Sequence, residues 1–170
     1  MHVDGRALIR RAVARCVAKF DDFALVAQAA TGGEALSALS ANPQIILLNP
    51  SADGLQPEVL IRELVRRAPG VAVLLLCEAI SPWDVSLSRE QGVRGCLADD
   101  CTCAELHTAL QRAAAGGEYR SEQATRFVAL ADRLGQITRC DRDSTGSPAE
   151  GSTSVAVRPT ADSENPITVS

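Results

Sequence analysis

The stretch "QIILLNPSADGL" (44–55) sets four apolar residues, Ile45 to Leu48, directly before Asn49, Pro50 and a small polar turn. A short apolar run closed by turn residues reads as a buried parallel strand, and its carboxyl end is where open α/β sheets place their chemistry. The first polar group there is an amide, which is a poor nucleophile and carries no charge. Conversion of Asn49 to aspartate is also hindered, because the cyclic-imide route uses the N–H of the next residue and Pro50 has none. Asp53 lies close by, but Asp53-Gly54 is an ordinary turn pair. A second group of candidate residues is Cys96, Cys101, Cys103 and His107, with Cys103 and His107 one helical turn apart. Thiolates and imidazoles ligate zinc, yet this spacing matches no standard zinc module, so ordinary thiols are the expectation. Cys103 falls in the first turn of an expected helix, where the dipole lowers a thiol pKa. No nucleophile–base pair stands at a strand end and no Gly-rich loop joins a strand to a helix, so hydrolase and transferase chemistry has no support.

The elements that must hold these residues alternate regularly. Residues 6–20 place Leu8, Ala12, Val13, Cys16, Val17 and Phe20 at helical spacing, with Arg10, Arg11, Arg15 and Lys19 mostly opposite. "ALVAQAA" (24–30) reads as a strand and "GGEALSALSA" as a short helix. After the strand at 45–48 comes a helix at about 57–68, stopped by Pro69-Gly70, and then the strand "VAVLLL" (71–76). Ser81-Pro82-Trp83-Asp84 supplies a capping hydroxyl, a proline at the first helical position and a carboxylate at the third, opening a helix that Gly92 ends. Trp83 is expected as a packing residue. "VRGCLA" (93–98) is the next strand, and Thr102-Cys103-Ala104-Glu105 is a capping box for a helix to about Ala115. This alternation argues for a parallel sheet covered by helices on both faces. One more helix is expected over 121–134. Residues 135–170, with no aromatic and many Ser, Thr, Pro, Gly and Asp, are expected to form a disordered tail.

Bulk properties narrow the function. The 170 residues suit one domain, and a net charge of −4 gives no basic footprint for nucleic acid. No stretch has the length of a membrane span or the apolar core of a signal peptide, so a cytoplasmic location is expected. The six cysteines are then expected as reduced thiols.

Taken in order, these segments resemble the receiver domain of bacterial response regulators, in the LuxR-type branch. "VDGRALIRRAV" is similar to that family's acidic-pair loop and first helix, and "QAATGGEALSAL" to its second strand and helix. "PQIILLNPSADGL" resembles the strand carrying the phosphoacceptor aspartate. "PGVAVLLLC" resembles the strand ending in the switch hydroxyl, and "QGVRGCLADD" the segment ending in the essential lysine. "TCAELHTALQRAAAGGEY" is similar to the last receiver helix. The resemblance covers about residues 3–120, giving a receiver-like domain at 1–120, and implies a flavodoxin-like (CheY-like) sheet of five parallel strands in the order 2-1-3-4-5, with the first strand truncated. Family members carry five or six residues before the acidic pair, so a true start upstream of Met1 is expected.

The resemblance also implies a site, and there the chain departs from it. The phosphoacceptor position is Asn49, the hydroxyl position Cys77 and the lysine position Asp99. The acidic pair is Asp4 and Gly5, and Cys96 replaces the switch aromatic. The family reaction needs an attacking carboxylate, Mg²⁺ on hard anionic oxygens, and a hydroxyl and lysine to hold the phosphoryl group. None of these positions retains its group except Asp4. The expectation is a degenerate, phosphorylation-independent receiver: no enzyme, no cofactor and no metal, acting as a protein-interaction module in two-component signalling. Its partner would be a histidine kinase, another regulator or its own copy as a homodimer, with no nucleic acid bound through this chain, no DNA-binding output domain and no membrane. The alternative is a thiol-based redox or metal-responsive switch using Cys77, Cys96 or the Cys101/Cys103 pair. The expected docking face spans residues 82–91, 94–97 and 102–115, fixed in one conformation.

Overall fold

The computed structural model describes residues 1–52, 56–87, 92–126 and 129. The chain alternates β1 (His2–Val3), α1 (Ala7–Val17), β2 (Gln28–Ala29), α2 (Gly32–Ser37), a 3₁₀ turn (Ala38–Ala41), β3 (Ile45–Leu48), α3 (Pro57–Arg67), β4 (Ala72–Cys77), α4 (Pro82–Leu87), β5 (Val93–Ala98), α5 (Cys103–Ala114) and β6 (Tyr119–Arg120). All pairings are parallel and the sheet order is β2-β1-β3-β4-β5-β6.

The apolar runs of β3 and β4 have no polar alternation because both faces of the sheet are covered. In β4, Val73, Leu75 and Cys77 join Leu60, Ile61 and Leu64 of α3 on one face. Ala72, Leu74 and Leu76 face the other way, onto Val13 and Val17 of α1 and Leu106 and Leu110 of α5. Every residue of β4 is buried. At about 1.5–3 kcal/mol per fully buried aliphatic side chain, this strand anchors both layers. Thr102 and Glu105 complete the capping box, the Glu105 amide donating to the Thr102 hydroxyl at 3.2 Å and the Thr102 amide to the Glu105 carboxylate at 2.8 Å. Ser81 and Asp84 do the same for α4, the Ser81 amide donating to Asp84 Oδ2 at 2.8 Å.

Three details differ from the sequence expectation. A sixth strand, Tyr119–Arg120, pairs with Gly95 and Cys96, so the sheet has six strands instead of five. Gly95 permits this, since a Cβ there would lie 1.8 Å from the Tyr119 carbonyl oxygen. Of the strand expected over 24–30, only Gln28 and Ala29 enter the ladder, because β1 offers just His2 and Val3 as partners. Trp83 is 46% exposed and does not serve the core. Of the helix expected over 121–134, residues 122–126 and 129 are helical; residues 127, 128 and 130–134 and the expected tail lie outside the described residues, as does Asp53. Among the described residues no helix is long and apolar enough to cross a membrane.

Candidate functional site

The positions singled out from the sequence converge at the carboxyl ends of the strands. Main-chain bonds of the sheet fix them there: the Asp4 amide donates to Ala29 O at 3.1 Å, the Asn49 amide to Val3 O at 2.8 Å and the Asp99 amide to Cys77 O at 2.7 Å. Asp4 and Asn49 are buried, and the Asp99 side chain is 13% exposed. Gly5 contributes main chain only, its carbonyl accepting from Arg10 Nη1 at 3.1 Å.

A residue not foreseen from the sequence organises this group. Arg6 donates from its main-chain amide and from Nε to Asp4 Oδ1, at 2.8 and 3.0 Å, and from Nη2 to Asp4 Oδ2 at 2.8 Å. Its Nη1 donates to Asp99 Oδ2 at 2.7 Å. The guanidinium therefore bridges the two carboxylates in a forked, charge-assisted arrangement. Burial pushes the Asp4 carboxyl up, but its hydrogen bonds with Arg6 outweigh that and hold it below the usual carboxylate range. Arg6 is raised in turn, first by its bond to Asp4.

Asn49 is satisfied on both sides. Its Nδ2 donates to Asp4 Oδ2 at 3.2 Å, and its Oδ1 accepts from the Ser51 amide at 2.7 Å, closing an Asx turn. Asp4 thus accepts four donors, three of them from Arg6. Mg²⁺, which the resemblance implies, does not fit these residues. Gly5 brings no carboxylate, and the oxygens of Asp4 and Asp99 are already committed to a cation.

The thiols are arranged differently from the expectation of free cysteines. Cys16 of α1 and Cys103 of α5 form a disulfide across 87 residues of sequence. Their separation in the chain hid this pairing, as neither spacing nor periodicity brings α1 and α5 together. A bridged Cys103 is not a nucleophile and its thiolate is not available to a metal. Among the described residues no three His, Cys, Asp or Glu side chains are grouped to hold a metal ion. Cys101 is free and burial pushes its thiol up to about 11. Cys77 and Cys96 lie on β4 and β5, diagonal in the register, with sulfurs 3.5 Å apart. The bond to Cys96 and then burial raise the Cys77 thiol strongly, so it is not a thiolate at neutral pH. His2, also unforeseen, is fully buried between β2 and β3, and neither ring nitrogen has a hydrogen-bond partner.

No protein-family model matches the chain. The response regulator GacA of Pseudomonas viridiflava is 28% identical over 144 residues, which is 83% of this chain and 66% of that protein. The GacA protein of Pseudomonas syringae is 27% identical over the same extent. Among solved structures, a LuxR-family response regulator from Aurantimonas is 22% identical with a TM-score of 0.72, covering 79% of this chain and 96% of that one. The signal receiver domain of the regulator NarL from Mycobacterium tuberculosis is 26% identical, with a TM-score of 0.62 over 68% of this chain and 94% of that one. The chain carries a response-regulator receiver domain. It spans about two thirds of the length of the curated relatives it matches.

Proposed function

We propose that this receiver works without phosphoryl transfer, as a protein-interaction module of two-component signalling in the cytoplasm, docking a histidine kinase, another regulator or its own copy. The observation that carries this reading is the Arg6 guanidinium lodged between Asp4 and Asp99. A fixed internal cation takes the place that a divalent ion would occupy in the family. Asn49 supplies no nucleophile, and Asp99 is a negative charge where a lysine would pair with the phosphoryl group. The domain is not an enzyme in this reading, and it binds neither nucleic acid nor membrane through these residues. With no ligand to favour a second state, its α4–β5–α5 face keeps one conformation. Incubation with acetyl phosphate and Mg²⁺ should leave the intact mass unchanged. A stoichiometric phosphoryl adduct sinks the proposal.

A second reading rests on the 3.5 Å separation of the Cys77 and Cys96 sulfurs. Here the pair loses two electrons and two protons to a mild oxidant such as a peroxide, which is reduced to water or alcohol, and a disulfide joins β4 to β5. The raised Cys77 thiol slows that reaction. Thiol counts before and after oxidation separate the two readings: loss of both thiols together favours the switch, independent or absent reaction the adaptor.

A further inference from the structure

The Cys16–Cys103 disulfide joins two helix ends of opposite polarity. Cys16 lies in the last turn of α1, and Cys103 is the first residue of α5. Both side chains are partly exposed, so a small thiol in solution can reach the bridge. Exposed disulfides are the ones that exchange. The helix dipole favours a thiolate in the first turn of α5 and disfavours one in the last turn of α1. Cys103 Sγ is therefore the better leaving group, and Cys16 Sγ is the atom that a nucleophile attacks. The charge around Cys16 is positive: among residues 10–21, Arg10, Arg11, Arg15 and Lys19 are cations and Asp21 and Asp22 the acids. Asp22 is engaged, accepting from Gln111 Nε2 at 3.1 Å and meeting His107 Nε2 at 2.7 Å. On the α5 side the Glu105 carboxylate is committed to its cap, accepting from the Thr102 amide and hydroxyl at 2.8 and 2.9 Å.

We propose that Cys16 is a thiol–disulfide exchange site for an anionic low-molecular-weight thiol of the glutathione class. The attacking thiolate forms a disulfide with Cys16 Sγ, and Cys103 Sγ leaves with the electron pair of the broken bond. A second thiolate then displaces Cys16 Sγ. In sum the bridge gains two electrons and two protons, and two small thiols become one disulfide. The cations of α1 draw an anionic thiol to the sulfur that must be attacked. Opening the bridge leaves the two helices docked. Val13, Val17, Leu106 and Leu110 share one buried cluster, and the rings of Phe20 and Phe23 stand 4.4 and 5.8 Å from that of His107. With Cα atoms 5.6 Å apart, the bridge can close again without backbone movement. Cys101 does not compete for Cys16, since burial pushes its thiol up to about 11. Neither Arg6 nor the Cys77–Cys96 pair takes part.

The test uses the full oxidised chain, with reduced glutathione and the cationic thiol cysteamine as probes. At equal thiolate concentration glutathione should open the bridge about fivefold faster, read by mass spectrometry after acid quench. High salt, or Lys19→Gln, should narrow that gap. In the reduced chain iodoacetamide should alkylate Cys103 about tenfold faster than Cys16 at neutral pH, with peptide mapping to assign the sites. Glutathione disulfide should then restore the bridge. Equal rates for the two thiols, or faster alkylation of Cys16, overturns the proposal. So does a bridge that opens only in denaturant, or a reduced chain that loses its near-ultraviolet circular dichroism, since either marks a purely structural crosslink. A chain isolated with both thiols free, and not bridged by glutathione disulfide, overturns it as well.

Discussion

His2 supports a prediction whose size follows from the structure. Its imidazole is fully buried, no ring nitrogen is paired, and burial lowers its pKa from 6.5 to about 4. The folded value is depressed, so the unfolded chain takes up a proton that the native chain refuses. The stability that depends on a neutral His2 is complete above the unfolded value of 6.5 and falls away as pH drops towards about 4. Between about pH 7.5 and about pH 5 the linkage relation gives a loss of about 2 kcal/mol from this one group. The Asp4 carboxyl stays ionised across that window, since its folded value is itself lowered. Replacing His2 by Leu removes the titration and two unpaired polar atoms from the core. The variant should be more stable at neutral pH by about 1–3 kcal/mol. Urea unfolding of both proteins at the two pH values measures the difference. If the parent and His2→Leu lose the same stability on acidification, His2 is not the group that couples folding to protons and the reasoning is refuted.

Other expectations are simpler to state. Arg6→Met leaves the Asp4 carboxylate, 1% exposed, without its counter-charge. It should cost about 2–3 kcal/mol, less than a fully buried pair because the guanidinium is itself a third exposed, as read by urea midpoints. Reducing the Cys16–Cys103 bridge, or replacing both residues by Ser, should lower stability by about 2–4 kcal/mol, as expected for a long closed loop. A thiol titration without reductant that finds both cysteines free would remove this expectation. Gly95→Ala should detach β6, because its new Cβ meets the Tyr119 carbonyl. The cost should be about 1–3 kcal/mol, with loss of protection at the Ser121 amide, which donates to Cys96 O at 3.2 Å.

How legible the molecule is in its sequence depends on whether a feature is local. β3, β4 and β5 are apolar runs ended by turn residues, and the α5 capping box is written within four residues, so each can be read along the chain. The strand-end positions Asp4, Asn49, Cys77 and Asp99 follow once the order of strands is known. Arg6 was missed because its partner Asp99 is 93 residues away, and an arginine opening a helix usually faces solvent. β6 has two residues and no pattern of its own; it exists because Gly95 lets a backbone approach. The Cys16–Cys103 link and the burial of His2 are likewise consequences of packing, which periodicity does not encode.

The brevity of β1 has a bearing on how the domain comes apart. β3, β4 and β5 pair over four or more positions each, whereas β2 and the helical turns after it reach the rest of the sheet through His2 and Val3. On the sheet side residues 24–41 are held at two positions, and the packing of Ala29 and Ala35 into the core with Leu60 and Leu64 supplies the rest of their attachment, so the segment is expected to open as a flap, with the β3–β5 block intact, only when that packing also yields. Asp4 directly follows the same two residues and hangs its amide on Ala29. Each opening of the flap thus loosens Asp4, and with it the grip on Arg6. The lifetime of the charged cluster at one end of the sheet is set by the strength of a two-residue seam in its middle.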